Sequence, residues 1–426
     1  TTPAAIMGAA SANIPTIILP GGPSLKGNWK GEELGSCTDC RRYWNELRAG
    51  NISQEDYDSM EESIYRSPGF CMVSGTASTM ACISEAMGMT LVGAATLPAV
   101  DSRRMALANK SGQQIVNLVK NNVKFENFLD RQNFLNGIVT LMAMGGSTNA
   151  IIHLLAMAGR TKTKITLDDF NQISEKTPVL ANLKPAGTKL MEDFHYAGGV
   201  SALLKNIKHL LNLETKSVSG QTLKDILDQS ENFDQQVIRY PSNPVNDKGS
   251  IAIIKGSLAP DGAVIKVAAA SKKFLNHIGK AIVFNNAKEL SDKIDDPDLD
   301  ISENSIIVLR NQGPIGGQGM PESGFLPIPK KLLDKGIRDI VRISDARMSG
   351  TAYGTIILHI APESYIGGPL SLVKTGDKIK LSLKTKSIDL LVDNKTLSER
   401  KSLLKDSKHN SEYDRGYGWL YKNHIL

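Results

Sequence analysis

Cysteine is the first chemistry-bearing residue type in this chain. Cys37-Thr38-Asp39-Cys40 is a C-x-x-C pair, and with Cys71 and Cys82 it makes four thiols in all. The spacing does not fit the paired C-x-x-C knuckles of zinc or four-thiolate iron–sulfur sites. The Arg41-Arg42-Tyr43-Trp44 that follows reads as helix rather than ribbon. Cys37, Cys40 and Cys82 are therefore read as core or incidental thiols. Cys71 differs. It sits in Ser67-Pro68-Gly69-Phe70-Cys71-Met72-Val73-Ser74-Gly75-Thr76, a loop entering a small-residue helix. A thiolate near a helix N-terminus gains from the backbone amides, and small residues allow a bulky inorganic group to approach. Taken alone, the loop admits an inert buried thiol equally well.

Two further loops carry candidate groups. Gly313-Pro314-Ile315-Gly316-Gly317-Gln318-Gly319-Met320-Pro321-Glu322 follows an apolar run at 306–309. Without G-K-[ST] it is no Walker loop, and one carboxylate on a Gly-rich turn, Glu322, fits a hard-metal ligand better. Its bland alternative is a surface loop with an exposed Glu. Ser344-Asp345-Ala346-Arg347-Met348-Ser349-Gly350-Thr351 ends another strand and lacks a G-x-S-x-G elbow, so no hydrolase triad is indicated. Ser349, taken by itself, is a turn residue before it is a base. The seven histidines have no ligand spacing, and His153 and His195 read as satisfied core or surface side chains. Asp101-Ser102-Arg103-Arg104 reads as a helix start with a solvated basic turn rather than an anion site.

The elements that must position these loops change character near residue 236. Before it the pattern is mostly helical, with a strand expected at 16–19. Capping signals stand at Ser53 and at Thr166-Leu167-Asp168-Asp169, and a helix break at Gly145-Gly146. After it short strands dominate, at 251–254, 264–267, 281–284, 306–309, 339–343, 355–360, 378–383 and 388–392. About eight strands between Gly/Pro/Asp turns predict a barrel or sandwich. Two domains follow, 1–235 and 236–426, with residues 240–247 as the connector. Length and composition agree: 426 residues, 41% apolar and 22% charged, are a folded chain of two or three domains. A net charge of +6 spread along the chain is a poor footprint for nucleic acid, and no apolar run is long enough to span a membrane. Four cysteines are too few for a disulfide scaffold and suggest a reducing, cytoplasmic setting.

The ends look internal. Thr1-Thr2-Pro3 opens a small-residue helix of the kind packed inside domains, and Gly418-Trp419-Leu420-Tyr421-Lys422-Asn423-His424-Ile425-Leu426 is amphipathic. The chain is therefore expected to be a fragment.

Taken together, the motifs resemble the dihydroxy-acid and sugar-acid dehydratases, iron–sulfur hydro-lyases. The resemblance rests on residues 67–79, 97–104 and 145–150, Leu183-Lys184-Pro185, Met191-Glu192-Asp193, Ala197-Gly198-Gly199, residues 316–322 and 344–354, Ala361-Pro362-Glu363 and Gly367-Gly368-Pro369. These run in order over nearly the whole chain. Val100-Asp101-Ser102-Arg103-Arg104 and Ile343-Ser344-Asp345-Ala346-Arg347-Met348-Ser349-Gly350-Thr351 are worded more like the pentonate (arabinonate or xylonate) enzymes than the branched-chain one.

The resemblance implies an α/β fold: an N-terminal α/β domain holding the cofactors and a C-terminal mostly-β barrel supplying Glu322 and Ser349. It implies that Cys71 is one of three cysteines on a [2Fe–2S] cluster, Glu322 a Mg²⁺ ligand, Ser349 the base and Thr351 a hydroxyl neighbour in the substrate pocket. In the family Thr-Thr-Pro follows a Cys-Asp-Lys that carries further ligands, so those are expected upstream of Thr1. Cys37 and Cys40 lie outside the family's cluster motifs. The partners implied are a small dihydroxy or sugar acid and a second copy in a dimer-based homo-oligomer. A 2,3-dihydroxy acid must lose its C2 proton and its C3 hydroxyl, which asks for Lewis acids and for a serine whose pKa nearby cations have lowered. The competing expectations are a branched-chain dihydroxy-acid dehydratase, with an apolar pocket wall, and an inactive remnant lacking most metal ligands.

Overall fold

Short apolar strands separated by turns cannot bury their apolar faces singly, so they close on one another. In the computed structural model, which describes residues 1–404 and 414–425, eight of them form a closed barrel. They are β3 (Ala252–Gly256), β4 (Ala259–Ile265), β5 (Asn276–Phe284), β6 (Ile306–Leu309), β7 (Val341–Ser344), β8 (Ile356–Ala361), β9 (Lys378–Ser382) and β10 (Ser387–Leu390), numbered after a hairpin β1 (Gly27–Trp29) and β2 (Glu32–Leu34). The barrel order is β10-β3-β4-β8-β7-β6-β5-β9.

Alternate residues of every barrel strand meet in one core. Ile254, Ile265, Ala281, Ile306, Val308, Val341, Ile343, Ile357, Ile379 and Ile388 all contribute, as side-chain alternation along a closed sheet requires. The opposite faces of β5 and β6 (Ile282, Phe284, Ile307, Leu309) pack outward on Leu290, Leu332 and Leu333. Both faces of β6 are therefore buried, which explains its unbroken Ile-Ile-Val-Leu.

β5, β6, β7 and β8 run parallel to one another, and Leu309 pairs with Ser344 at the ends of β6 and β7. Parallel neighbours release their following loops at the same rim. The Gly-rich loop after β6 and the Ser349 loop after β7 must therefore emerge together.

The chain divides into two compact units. One comprises Thr1–Trp44, Ile52–Ile251 and Gly350–Ala352, and the other Asn45–Asn51, Ala252–Ser349 and Tyr353–Leu426. Among the described residues of the first unit the named strands are only β1 and β2, so its expected α/β character is in fact nearly all helical, while the chain as a whole is mixed α/β. Its helices include α1 (Thr2–Ala12), α2 (Ser36–Arg48, whose last turn falls in the other unit), α3 (Gln54–Glu62), α4 (Thr76–Ala86), α5 (Arg103–Lys120), α6 (Arg131–Ala143), α7 (Asn149–Ala158) and α8 (Leu167–Lys176). The Ser53 cap and the Thr166 capping box form as their spacing predicts.

Two local expectations fail. Residues 16–19 form no strand; Pro15 and Pro20 flank them, and Ile18 N–H bonds alone to Met89 O at 2.9 Å. In α1 only Ile6 is buried, so its small residues face outward rather than into a tight core. In the C-terminal run Tyr421 is buried while Trp419, Leu420 and Ile425 are exposed, so no apolar face is buried there; Leu426 lies outside the described residues.

Candidate active site

In the first unit the Cys71 loop is pinned on both sides. Met72 N–H donates to Ser36 Oγ at 3.0 Å, and Ser74 N–H to Lys184 O at 2.9 Å. Lys184 in turn pairs with the buried Asp39 at 2.7 Å. Gly69 lets the loop pass: its φ is +138°, and a Cβ there would lie 2.3 Å from Ser24 N. These anchors place Cys71 against the start of α2. The Tyr65 hydroxyl stands 3.4 Å from the Cys71 sulfur, and the Ser36 hydroxyl donates to Met72 Sδ at 2.7 Å.

That arrangement corrects two readings. Cys71 lies five residues before α4 (71 against 76), so a helix N-terminus does not stabilise its thiolate. And Cys37, read as incidental, is the leading influence on its ionisation. The Cys37 hydrogen bond is the leading cause that holds the Cys71 thiol down at about 6; burial opposes it, and Tyr65 and Ser36 reinforce it. Cys37 is pushed up by that same bond, by burial and by the charge on Cys71. Cys40 faces Tyr57 (3.4 Å) and Cys82 is fully buried, both as expected of bystanders.

Thr351 belongs to this unit and is fully buried. Its carbonyl accepts from Thr38 Oγ1 at 2.8 Å and its hydroxyl from Arg41 Nη1 at 3.3 Å. A Cβ added at Gly75 would stand 3.4 Å from Thr351 Cγ2 and 3.6 Å from Cys71 Cβ, so Thr351 and Cys71 flank the same glycine. Hydroxyls line the same neighbourhood: Thr76 Oγ1 and Ser147 Oγ are 2.9 Å apart, and Asn149 Nδ2 donates to Thr76 Oγ1 at 3.0 Å.

In the second unit two buried carboxylates build the rim. Asp345, the first residue after β7, accepts from Gln312 N–H (2.9 Å), Asn311 N–H (3.3 Å), Ser364 N–H (2.9 Å) and the Ser364 hydroxyl. Glu363 accepts from Ile315 N–H (2.8 Å) and Gly316 N–H (3.0 Å). Both hold the base of the Gly-rich loop, and neither role was legible in sequence, because the donors from that loop lie 33 to 48 residues away. At the loop tip Glu322 is exposed and its Oε1 is 2.9 Å from Arg347 Nη1, while Arg347 Nε donates to Met320 O at 2.5 Å. Arg347 thus ties the Glu322 loop to the segment carrying Ser349, which is half-buried two residues on.

The remaining candidates resolve simply. Arg103 pairs with Asp101 at 2.6 Å, and Arg104 donates to the carbonyls of Pro20 (2.6 Å), Pro98 (3.2 Å), Ala94 (3.3 Å) and Leu97. His195 is satisfied by Thr96 Oγ1 at 2.9 Å, and burial lowers its pKa.

The N-terminal family model for dihydroxy-acid/6-phosphogluconate dehydratases matches residues 1–226, and its C-terminal counterpart residues 236–426. The chain belongs to this dehydratase family. The putative dehydratase IlvD1 of Rhizobium meliloti is 45% identical over 426 residues, all of this chain and 74% of its own length. The L-arabinonate dehydratase of Rhizobium leguminosarum bv. trifolii is 43% identical over 427 residues, 100% of this chain and 73% of its own. The 6-deoxy-6-sulfo-D-gluconate dehydratase of Pseudomonas putida is 42% identical, covering 100% and 74%. The chain is accordingly an enzyme of the hydro-lyase class, a member of the sugar-acid and dihydroxy-acid dehydratases. Among the described residues no helix of this dehydratase is long and apolar enough to cross a membrane.

Proposed function

We propose that this dehydratase converts a 2,3-dihydroxy sugar acid of the pentonate type, such as arabinonate or xylonate, to the 2-keto-3-deoxy acid. The observation that carries the reading is the rim of the barrel. Parallel β6 and β7 deliver a carboxylate, Glu322, and a hydroxyl, Ser349, on loops that Asp345 and Arg347 bind together. The relatives named for arabinonate and sulfogluconate support a sugar-acid substrate. The family description also names dihydroxy-acid dehydratases, and a branched-chain dihydroxy acid is the second reading.

The residues fit the family's cofactors as single donors. Cys71 is a half-buried thiol kept ionisable by three hydrogen-bond donors, which suits one thiolate of a [2Fe–2S] cluster. Glu322 is an exposed carboxylate on a Gly-rich turn, which suits Mg²⁺. Among the described residues no group of three or more His, Cys, Asp or Glu gathers to hold a metal, so each residue offers one donor toward its group. When bound, the two groups would supply Lewis acidity at the substrate carboxylate and hydroxyls. As the alkoxide, Ser349 Oγ would accept the C2 proton and pass it to the departing C3 hydroxyl, which leaves as water and gives an enol that tautomerises to the keto acid. Thr351, held by Arg41 and Thr38, offers a fixed hydroxyl to the substrate.

Ser349→Ala and Glu322→Gln test these roles. Each should lower kcat about 10²–10⁴-fold, the range for losing a positioned base or an electrostatic contact, with the unfolding midpoint unchanged. Full turnover in Ser349→Ala would remove the serine from the mechanism.

A further inference from the structure

Val341 and Ile343 of β7 point into the barrel core, so Arg342 between them faces outward, yet it is only 1% exposed. A guanidinium buried there must place its fixed fork of N–H groups on acceptors. Nη1 donates to Leu326 O at 2.9 Å, and Nη2 to Tyr353 O at 3.3 Å. Nε reaches Ile340 O at 3.2 Å, and Nη2 also pairs with Asp339 at 3.0 Å. Leu326 lies on the arm returning from Glu322, and Tyr353 on the arm returning from Ser349, four residues on in each case (322 to 326 and 349 to 353). The Phe325 ring lies 5.2 Å from the guanidinium carbon and packs edge-on to Tyr353, with ring centroids 6.0 Å apart. At Gly354 φ is +100°, and a Cβ there would collide with Nη2, so the chain comes this close only through a glycine. Asp345 and Glu363 grip the outgoing arm of the Gly-rich loop, whereas Arg342 grips the returning arms of both loops.

We propose that Arg342 is a positioning residue of the active site: one buried guanidinium holds the Glu322 loop and the Ser349 loop at a fixed separation. The proposal rests on the roles assigned to Glu322 and Ser349 in the dehydration. The charge of Arg342 is matched by Asp339, which is itself held by the Thr355 N–H at 2.9 Å and the Thr355 hydroxyl at 2.7 Å. Arg342 is thus enclosed by protein groups and acts through the two carbonyls, not on the substrate. A carboxylate and a hydroxyl on separate loops serve one substrate only if their separation is fixed, and an ångström of misplacement costs about 10²-fold in rate. Lysine is no substitute, because one ammonium on a flexible stem cannot span two carbonyls and a carboxylate as a planar fork does.

The test compares Arg342→Lys and Arg342→Ala with the wild type, each as the full chain. Arg342→Lys keeps a cation beside Asp339, so it carries the test if Arg342→Ala does not fold. Hydrogen exchange read by mass spectrometry reports on the loops without reference to activity. Peptides from 313–326 and from 345–354 should both exchange at least about tenfold faster in the variants, while β9 keeps the wild-type rate. Acceleration in only one loop, or the same acceleration in β9, would overturn the proposal. Kinetics, measured well below the melting temperature on a pentonate that the wild type turns over, should show kcat lowered about 10–100-fold with KM within about threefold. A lower Tm with wild-type kcat would make Arg342 a structural residue only and would also overturn the proposal. No turnover by the wild type would instead count against the dehydration reading, and exchange alone would then decide whether Arg342 couples the loops.

Discussion

Replacing Asp345 removes the acceptor on which the rim of the barrel depends. Asp345 is 1% exposed and satisfies two backbone donors at 2.9 Å, Gln312 and Ser364, that have no other acceptor among the described residues. Asn311 N–H retains Ser364 Oγ at 2.7 Å, and the Ser364 hydroxyl retains Asn311 Oδ1 at 3.1 Å, so those two groups are largely rescued. Asp345→Ala therefore orphans the buried N–H of Ser364 and the half-buried N–H of Gln312, each costing about 1–3 kcal/mol, for a total near 4 kcal/mol at most. Asp345→Asn keeps one carbonyl oxygen for Gln312 but turns an NH₂ toward Ser364, so it should cost about half as much. Hydrogen exchange reads the effect locally. Amides opening through this loop should exchange roughly 10³-fold faster at Gln312 and Ser364 in Asp345→Ala, at tenfold per 1.4 kcal/mol, and about thirtyfold faster in Asp345→Asn. Strand amides of β9 should be unchanged. Protection at Gln312 and Ser364 within threefold of wild type would refute the claim that Asp345 holds the loop.

Two further perturbations probe the packing. Lys266 is fully buried, and burial lowers its pKa from 10.5 to about 7, so the folded state disfavours its ammonium. The penalty is fully present below pH 7 and fades as pH rises toward the unfolded value. Lys266→Met should therefore gain roughly 3 kcal/mol more in urea unfolding at pH 6 than at pH 9. An equal gain at both values would show that the lysine is not buried as an unfavourable cation. Arg104→Lys should fail to rescue Arg104→Ala, since one ammonium cannot replace a planar fork spread over four carbonyls. Both should lose about 2–4 kcal/mol and lower Tm by roughly 5–10 °C; a lysine variant melting with the wild type would contradict this.

What could be read from sequence was local. Ile306-Ile307-Val308-Leu309 names a doubly buried strand, and the alternation of 379–383 names a half-buried one. The loops of Cys71, Glu322 and Ser349 stand out because their unusual residues are contiguous. The unread features depend on contacts between distant segments. Cys37 looks idle until the Ser36–Met72 bond brings its segment beside that of Cys71, and Asp345 and Glu363 become anchors only when β6, β7 and β8 are side by side. The error at 16–19 has a simpler cause: four apolar residues fit a strand, but flanking prolines and the lack of a partner deny them a ladder. α1 misled for the reverse reason, because alanine favours helix whether or not the helix is buried.

The central claim is dehydration of a sugar acid, and keto-acid formation under anaerobic conditions tests it most directly. Arabinonate, xylonate and 2,3-dihydroxyisovalerate would be supplied to the enzyme with iron, sulfide and Mg²⁺ present. The account predicts a 2-keto-3-deoxy acid from at least one pentonate, at a higher kcat/KM than for the branched-chain acid. Turnover of 2,3-dihydroxyisovalerate alone would contradict the substrate assignment, and no keto acid from any of the three would contradict the proposed reaction.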